Sequence, residues 1–214
     1  MIPVSANQFL LSEKVAALPV NPCLLAEKHG VRLLSFDEFC EYYRTTPRQL
    51  EQKYNRDGFA LVDGECRMIL YRAALDAAQL RWVLMRELCM LLYSGRVEPL
   101  LPQNRQGRDR RRKAGPGAQE LSRLAEEILC PLPIAHLCGV ATAAELALLC
   151  GIPLDRAQER MLELRIARRK GGMFRLEEEL ELLAQFAPFI SDYTAERLQK
   201  AEKLRRYRDA DVDY

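Results

Sequence analysis

Apolar positions at the start of the chain recur at helical spacing and then change to a continuous run. Residues 7–18 and 22–29 each carry apolar side chains three and four positions apart, which predicts two short helices. Gly30 follows the second of these segments, where a helix commonly ends. The run VRLLSF at 31–36 then predicts a strand.

The middle of the chain predicts a hairpin followed by a buried helix. Residues 37–54 have a helical pattern that is broken near Pro47. Two apolar runs within 58–71 flank an Asp63-Gly64 pair, which is a strong signal of a β-hairpin. Residues 75–95 are apolar on nearly every side of a helix, which indicates that this helix lies in the middle of a domain.

The second half of the chain is almost entirely helical in its pattern. Residues 118–131 predict an amphipathic helix that Pro131 ends. A further helical pair is predicted at 142–169, where Thr142 and Glu145 form a capping box at its start. One or two more helices, interrupted at Pro188, are predicted in 176–207. The chain is therefore expected to be an α+β protein, mainly helical, with a small sheet of about three strands.

Charge adds one feature to this picture. The net charge of the 214 residues is only +2, but the segment 105–113 holds six cations and a single anion. The cations of this basic loop are Arg105, Arg108, Arg110, Arg111, Arg112 and Lys113. Flanking glycines predict a loop, which is a candidate contact for a nucleic acid or another anion. A solvated connection is the favoured interpretation, because no aromatic residue within the loop is available to stack on bases.

Cysteine and histidine usage excludes several classes of site. The seven cysteines include no CxxC pair, and the two histidines, His29 and His136, are far apart. A secreted disulfide scaffold, a Cys-ligated zinc site and a three-histidine metal site are therefore not expected. No apolar run is long enough to cross a bilayer, and the N-terminus does not have the pattern of a signal peptide. A cytoplasmic protein with reduced thiols and no membrane contact is predicted.

The buried helix carries the most informative local sequence. The order of helix, strand, hairpin, buried helix and second helix is that of the zincin peptidases, whose buried helix carries His-Glu-x-x-His. In this chain the same place reads Arg86-Glu87-Leu88-Cys89-Met90. The glutamate is present, and both histidine positions hold other residues.

From about residue 21 to 165 the chain resembles the ImmA/IrrE family of metallo-endopeptidases. NPCLLAEKHGVRLL is similar to the family's opening helix and strand, MRELCMLLYSG to its HELGH-type helix, and ELSRLAEEILCP to its second ligand helix. TAAELALLCGIPLDRAQERMLEL is similar to the helical pair that commonly follows. The resemblance implies a zincin-like domain at 1–131 whose sheet packs on the active-site helix, a helix-turn-helix-like pair at 132–170 packed on it, and C-terminal helices with a tail at 171–214.

The resemblance also implies roles for individual positions. The family's two zinc histidines correspond to Arg86 and Met90, its general base to Glu87, and its carboxylate ligand to Glu120. Arginine has no lone pair for a metal, and a methionine thioether suits copper(I) better than zinc. Zinc is the cofactor of active relatives, but no metal or other cofactor is expected in this chain.

The replaced ligands suggest an electrostatic hypothesis. Without a dication, Glu87 and Glu120 would be left as unneutralised carboxylates, and Arg86 could replace the missing positive charge. We therefore predict a salt bridge between Arg86 and Glu120. The alternative is that Arg86 lies on a solvated edge of an ordinary core helix and that Met90 is simply a core residue.

The helical pair at 142–169 also fits a helix-turn-helix outline. As a DNA reader, its second helix would present Arg156, Glu159, Arg160 and Glu163, a face that mixes acids with bases. Such a mixture weakens attraction to phosphates. A structural or partner-binding role is therefore favoured over direct DNA binding.

Three functions follow as hypotheses. The leading one is a catalytically inactive pseudopeptidase that regulates by binding a protein or peptide, which could add as a strand at the sheet edge. The resemblance implies a partner such as a helix-turn-helix repressor of a bacterial mobile element, phage or stress regulon. The second is an active metallo-endopeptidase with a non-standard site, in which Cys89, Glu120 and His136 would be the ligands. The third is a nucleic-acid-binding regulator that uses the basic loop and the 142–169 pair.

Overall fold

The computed structural model describes residues 5–43, 45–54, 57–93, 98–99 and 117–210. The protein is mainly helical and carries one small mixed sheet, as the α+β prediction requires. None of the helices in this part of the chain is long and apolar enough to cross a membrane.

Two short helices open the fold. They are α1 (Ala6–Ser12) and α2 (Pro22–Lys28). The side chain of Ser5 accepts a hydrogen bond from the Gln8 N–H at the start of α1. The prediction of a helix reaching residue 18 is wrong, because the chain leaves the helix after Ser12 and Lys14 adopts a left-handed conformation with φ of 57°. Helix α2 ends as predicted, with Gly30 in the left-handed region.

The sheet has the spatial order β1-β3-β2-β4. Its strands are β1 (Val31–Ser35), β2 (Gly58–Asp63), β3 (Cys66–Tyr71) and β4 (Glu98–Pro99). Strands β2 and β3 form the predicted antiparallel hairpin, while β1 pairs with β3 and β4 with β2 in parallel. Helices α3 (Phe36–Tyr43) and α4 (Pro47–Tyr54) lie between β1 and β2 in sequence.

The two faces of the hairpin bury different sets of side chains. Phe59, Leu61, Met68 and Leu70 belong to a small apolar cluster with α3 and α4. Ile69 faces the main core instead, as expected from the alternation of side chains along a strand. The sheet is therefore covered on one side by a minor cluster and on the other by the central helix.

That central helix is α5 (Ala77–Tyr93), which corresponds to the buried helix predicted from sequence. It contacts the sheet, α2 and α6 (Ala118–Leu129). Its buried side chains include one charged residue, Glu87. The side of α5 that carries Glu87 is therefore held against the sheet.

The remaining helices complete the main core. They are α7 (Leu132–Leu137), α8 (Ala143–Cys150), α9 (Leu154–Lys170) and α10 (Glu177–Ala210). The short helix α7 was not predicted, and α10 continues through Pro188, where an interruption was expected. The capping box of Thr142 and Glu145 is present as predicted. Side chains of α1, α5, α6, α9 and α10 share one apolar cluster.

Candidate functional site

Glu87, which the resemblance predicts at the position of a general base, lies at the contact between α5 and the edge of β2. Glu87 is only 4% exposed. Its Oε2 accepts a hydrogen bond of 3.1 Å from the main-chain N–H of Ala60. Its Oε1 lies 2.7 Å from Nη2 of Arg86 and accepts a hydrogen bond of 2.8 Å from Nε of the same guanidinium. Both carboxylate oxygens of Glu87 thus have partners in the protein.

Arg86 bridges the helix and the strand. Besides contacting Glu87, its Nη2 donates a hydrogen bond of 3.3 Å to the main-chain oxygen of Gly58. Successive residues of a helix point about 100° apart and normally do not face each other. The two side chains meet here because both bend toward β2, and Arg86 remains 27% exposed at the rim of the contact.

The two main-chain groups that hold this ion pair lie on one edge of β2. The Asp57 oxygen accepts a hydrogen bond from the Arg72 N–H on the β3 side. Main-chain groups of successive residues point to opposite edges of a strand, so those of Gly58 and Ala60 both point away from β3. Strand β4 pairs with β2 at Leu61 and Val62, which is the next stretch of the same edge. The ion pair therefore takes hydrogen-bonding positions that an added strand would use.

Gly58 allows this close contact between strand and helix. A Cβ atom at position 58 would overlap the side chain of Val83 on α5 and would lie 2.9 Å from the Leu70 oxygen. A glycine is consequently required for the backbone of β2 to approach α5 at this point. Nothing in the local sequence pattern indicated Gly58 and Ala60 as partners of the site, because their role depends on how the strand edge lies over α5.

Glu120, the predicted partner of Arg86, has a different role. It lies in the first turn of α6, is exposed, and its Oε2 accepts a hydrogen bond of 2.9 Å from the Gly117 N–H. Within the described residues, the predicted salt bridge between Arg86 and Glu120 is not formed. Arg86 pairs instead with the buried acid next to it, whose charge is the more costly one to leave unneutralised.

The residues at the ligand positions that the resemblance predicts do not fit zinc. Arg86 is engaged as a cation with Glu87, Glu120 caps a helix, and Met90 is a partly buried thioether packed on the main core. Across the described ranges, no group of three or more His, Cys, Asp or Glu side chains is placed to hold a metal ion.

The non-standard set of Cys89, Glu120 and His136 is not brought together either. Cys89 is buried, and burial together with the nearby Glu87 raises the pKa of its thiol to about 12. His136 belongs to α7, where its Nδ1 accepts a hydrogen bond of 3.0 Å from Nε of Arg168. Burial and the adjacent Arg168 lower the pKa of His136. The thiol and the imidazole thus have other surroundings than those of metal ligands.

The predicted DNA-reading face of α9 is partly buried. Arg160 is 5% exposed, donates a hydrogen bond of 2.7 Å to the Cys130 oxygen at the end of α6, and pairs with Glu163. Arg156 pairs with Glu126 of α6 at 2.9 Å and lies over the ring of Trp82. These arginines connect α9 to α5 and α6. The basic loop lies outside the residues that the structure describes, so its anion contact stays a prediction.

Comparisons with known proteins found no match. No protein-family model matches the chain, and no similar curated protein or solved structure is found. The resemblance to the ImmA/IrrE family accordingly remains a prediction that rests on the quoted residues.

Proposed function

We propose that this protein is a metal-free pseudopeptidase of the ImmA/IrrE type, a cytoplasmic regulatory protein that binds a protein partner without cleaving it. The observation that carries the proposal is the ion pair of Arg86 and Glu87 at the place of the expected metal site. A general base needs an accessible oxygen near a reacting water. Glu87 instead is 4% exposed, with one oxygen on the Ala60 N–H and the other on a guanidinium.

The partner proposed from the resemblance is a helix-turn-helix repressor of a mobile element or stress regulon. Entry of a partner segment as a strand beside Gly58 and Ala60 would require Arg86 and Glu87 to leave their main-chain contacts. Such a segment would have to donate a hydrogen bond to the Gly58 oxygen and accept one from the Ala60 N–H. Binding at this edge therefore competes with an interaction inside the protein, so a partner is more easily accommodated on another face.

The test measures metal content and cleavage together. Purified full-length protein is analysed for bound metals after equilibration with zinc, and is then incubated with unstructured protein substrates that are examined by mass spectrometry. We expect well under 0.1 zinc per chain and the same fragments, at background level, for the wild type and Glu87→Gln.

A matched variant supplies a positive control. Arg86→His/Met90→His restores two imidazoles one helical turn apart on α5, which is a minimal zinc-binding arrangement. We expect this variant to bind zinc measurably more tightly than the wild type. Stoichiometric zinc in the wild type, together with cleavage that Glu87→Gln abolishes, would reject the proposal.

A further inference from the structure

Helix α9 has an exposed face on the side opposite to the core. Ala157, Met161 and Leu164 are buried on the inner side of this helix. On the outer side, Leu162 is 60% exposed and Ile166 is 43% exposed. Large apolar side chains that neighbour each other one turn apart on a helix surface form a contiguous apolar area, which is a common feature of interaction sites.

Charges on this face are sorted by sign along the helix. Asp155 and Glu159 come before Leu162, and their side chains are 74% and 67% exposed. Arg165 and Arg169 come after Leu162 and are also exposed. The outer face of α9 therefore has an acidic half, an apolar centre and a basic half.

This arrangement is complementary to itself in the antiparallel direction. Asp155 and Arg169 are each seven positions from Leu162, and Glu159 and Arg165 are each three positions from it. With 3.6 residues per turn, Asp155 and Arg169 point within roughly 20° of Leu162, whereas Glu159 and Arg165 point roughly 60° to either side of it. An antiparallel copy of α9 centred on Leu162 would therefore place Asp155 opposite Arg169 and set the acidic half of each helix beside the basic half of the other. A parallel copy would place like charges opposite one another, which is unfavourable.

We propose that the outer face of α9 is the interface of a homodimer, formed with a second copy of this chain by antiparallel packing about Leu162. A two-fold axis through Leu162 makes the contact isologous, so the pair of Asp155 and Arg169 occurs twice. The apolar contacts of Leu162 and Ile166 lie at the centre, and the charges lie at the rim. Charges at a rim mainly orient the partners, so the dimer is expected to be weak and salt-sensitive.

Contacts within the chain leave these charges available. Arg156 lies 3.9 Å from Asp155 and 3.6 Å from Glu159, but its closer partner is Glu126 at 2.9 Å. It also lies over Trp82, with 4.9 Å between the guanidinium carbon and the ring centroid. Arg156 is thus directed toward α6 and α5, and both outer carboxylates remain largely exposed.

Sedimentation equilibrium of the full chain over roughly two decades of micromolar concentration tests the interface. At low salt the wild type is expected to approach twice the chain mass of 24.6 kDa, and at about 0.5 M salt it should dissociate. Leu162→Glu should weaken the dimer at least about tenfold. Leu24→Glu on α2 is a matched control, since Leu24 is 63% exposed, and it should have no effect.

A charge exchange tests the antiparallel orientation. Asp155→Arg/Glu159→Arg and Arg165→Glu/Arg169→Glu should each be monomeric alone, because each places like charges opposite one another. Mixing the two variants should restore a one-to-one dimer. A wild type that stays monomeric throughout, a dimer that persists in Leu162→Glu, or a mixture that fails to associate would each overturn the proposal. Circular dichroism verifies that every variant is folded.

Discussion

Two buried charged side chains, Glu87 on α5 and Arg160 on α9, anchor their helices in similar ways. They are 4% and 5% exposed, respectively. Each bonds a main-chain group of another element and an oppositely charged side chain of its own helix. Glu87 is anchored to the edge of a strand, whereas Arg160 is anchored to the end of α6.

The two pairs differ in how much water reaches the partner. Arg86 is 27% exposed, whereas the side chain of Glu163 is 45% exposed. Removing the outer partner leaves a buried charge in both cases, but Arg86 is less exposed than Glu163, so less water can replace it. Burial of a charge therefore says little about catalysis by itself, and the partner determines what the burial costs.

The largest effect on stability is expected when Arg86, the more exposed partner of the α5 ion pair, is removed. Arg86→Ala leaves the Glu87 carboxylate buried without its cation and should lower the free energy of unfolding by about 2–3 kcal/mol. Arg86→Ala/Glu87→Gln removes the charge as well and should recover much of this loss. Urea unfolding measures both variants. Equal destabilisation by the single and double variants would show that the ion pair is not the reason.

A smaller effect is expected at Arg160. Arg160→Met keeps most of the apolar stem but leaves the buried Cys130 oxygen without its donor, which should cost about 1–2 kcal/mol. Lys200→Met on α10, at a side chain that is 79% exposed, serves as the control and should change stability by less than about 0.5 kcal/mol. A cost at Arg160 as large as at Arg86 would remove the proposed difference between the two pairs.

The smallest effect on stability is expected from the hydrogen bond between Arg168 and His136, in which the neutral imidazole is the acceptor. Nδ1 of His136 accepts a hydrogen bond from Arg168, and burial, with the adjacent guanidinium, lowers the pKa of His136 in the folded protein. The unfolded chain therefore takes up a proton first as pH falls below about 6.5, so stability should decrease there. Thermal unfolding between pH 8 and 5 measures the decrease. His136→Asn should weaken this dependence, and an unchanged pH profile would contradict it.

Elements whose signals are local could be predicted from the sequence. The hairpin at Asp63-Gly64, the buried helix α5 and the capping box of Thr142 follow from neighbouring residues and are confirmed. Pro188 is an instructive failure. Helix α10 is continuous across the proline, and the aromatic side chains of Phe186 and Phe189, on either side of it, contact each other edge to face.

The candidate site was only partly predictable because it depends on distances between elements. The sequence indicated Arg86 and Glu87 as the unusual positions of a buried helix, but it paired Arg86 with Glu120, whereas the partner of Arg86 in the structure is Glu87. It did not show that Glu120 would be used to cap α6 or that the edge of β2 would lie over α5. Those contacts depend on where a strand and a second helix lie in space, and no periodicity along the chain encodes this.

Gly58 determines the spacing between β2 and α5, on which both main-chain contacts of the ion pair depend. A larger residue there would push the hairpin away from Val83, and the strand would then withdraw its oxygen from Arg86 and its amide from Glu87 in one movement. Substitution of this glycine should therefore remove both main-chain contacts of the ion pair at once while leaving both charges in place. Gly58, which has no side chain, thereby determines whether this edge of β2 is occupied by the ion pair or is accessible to another molecule.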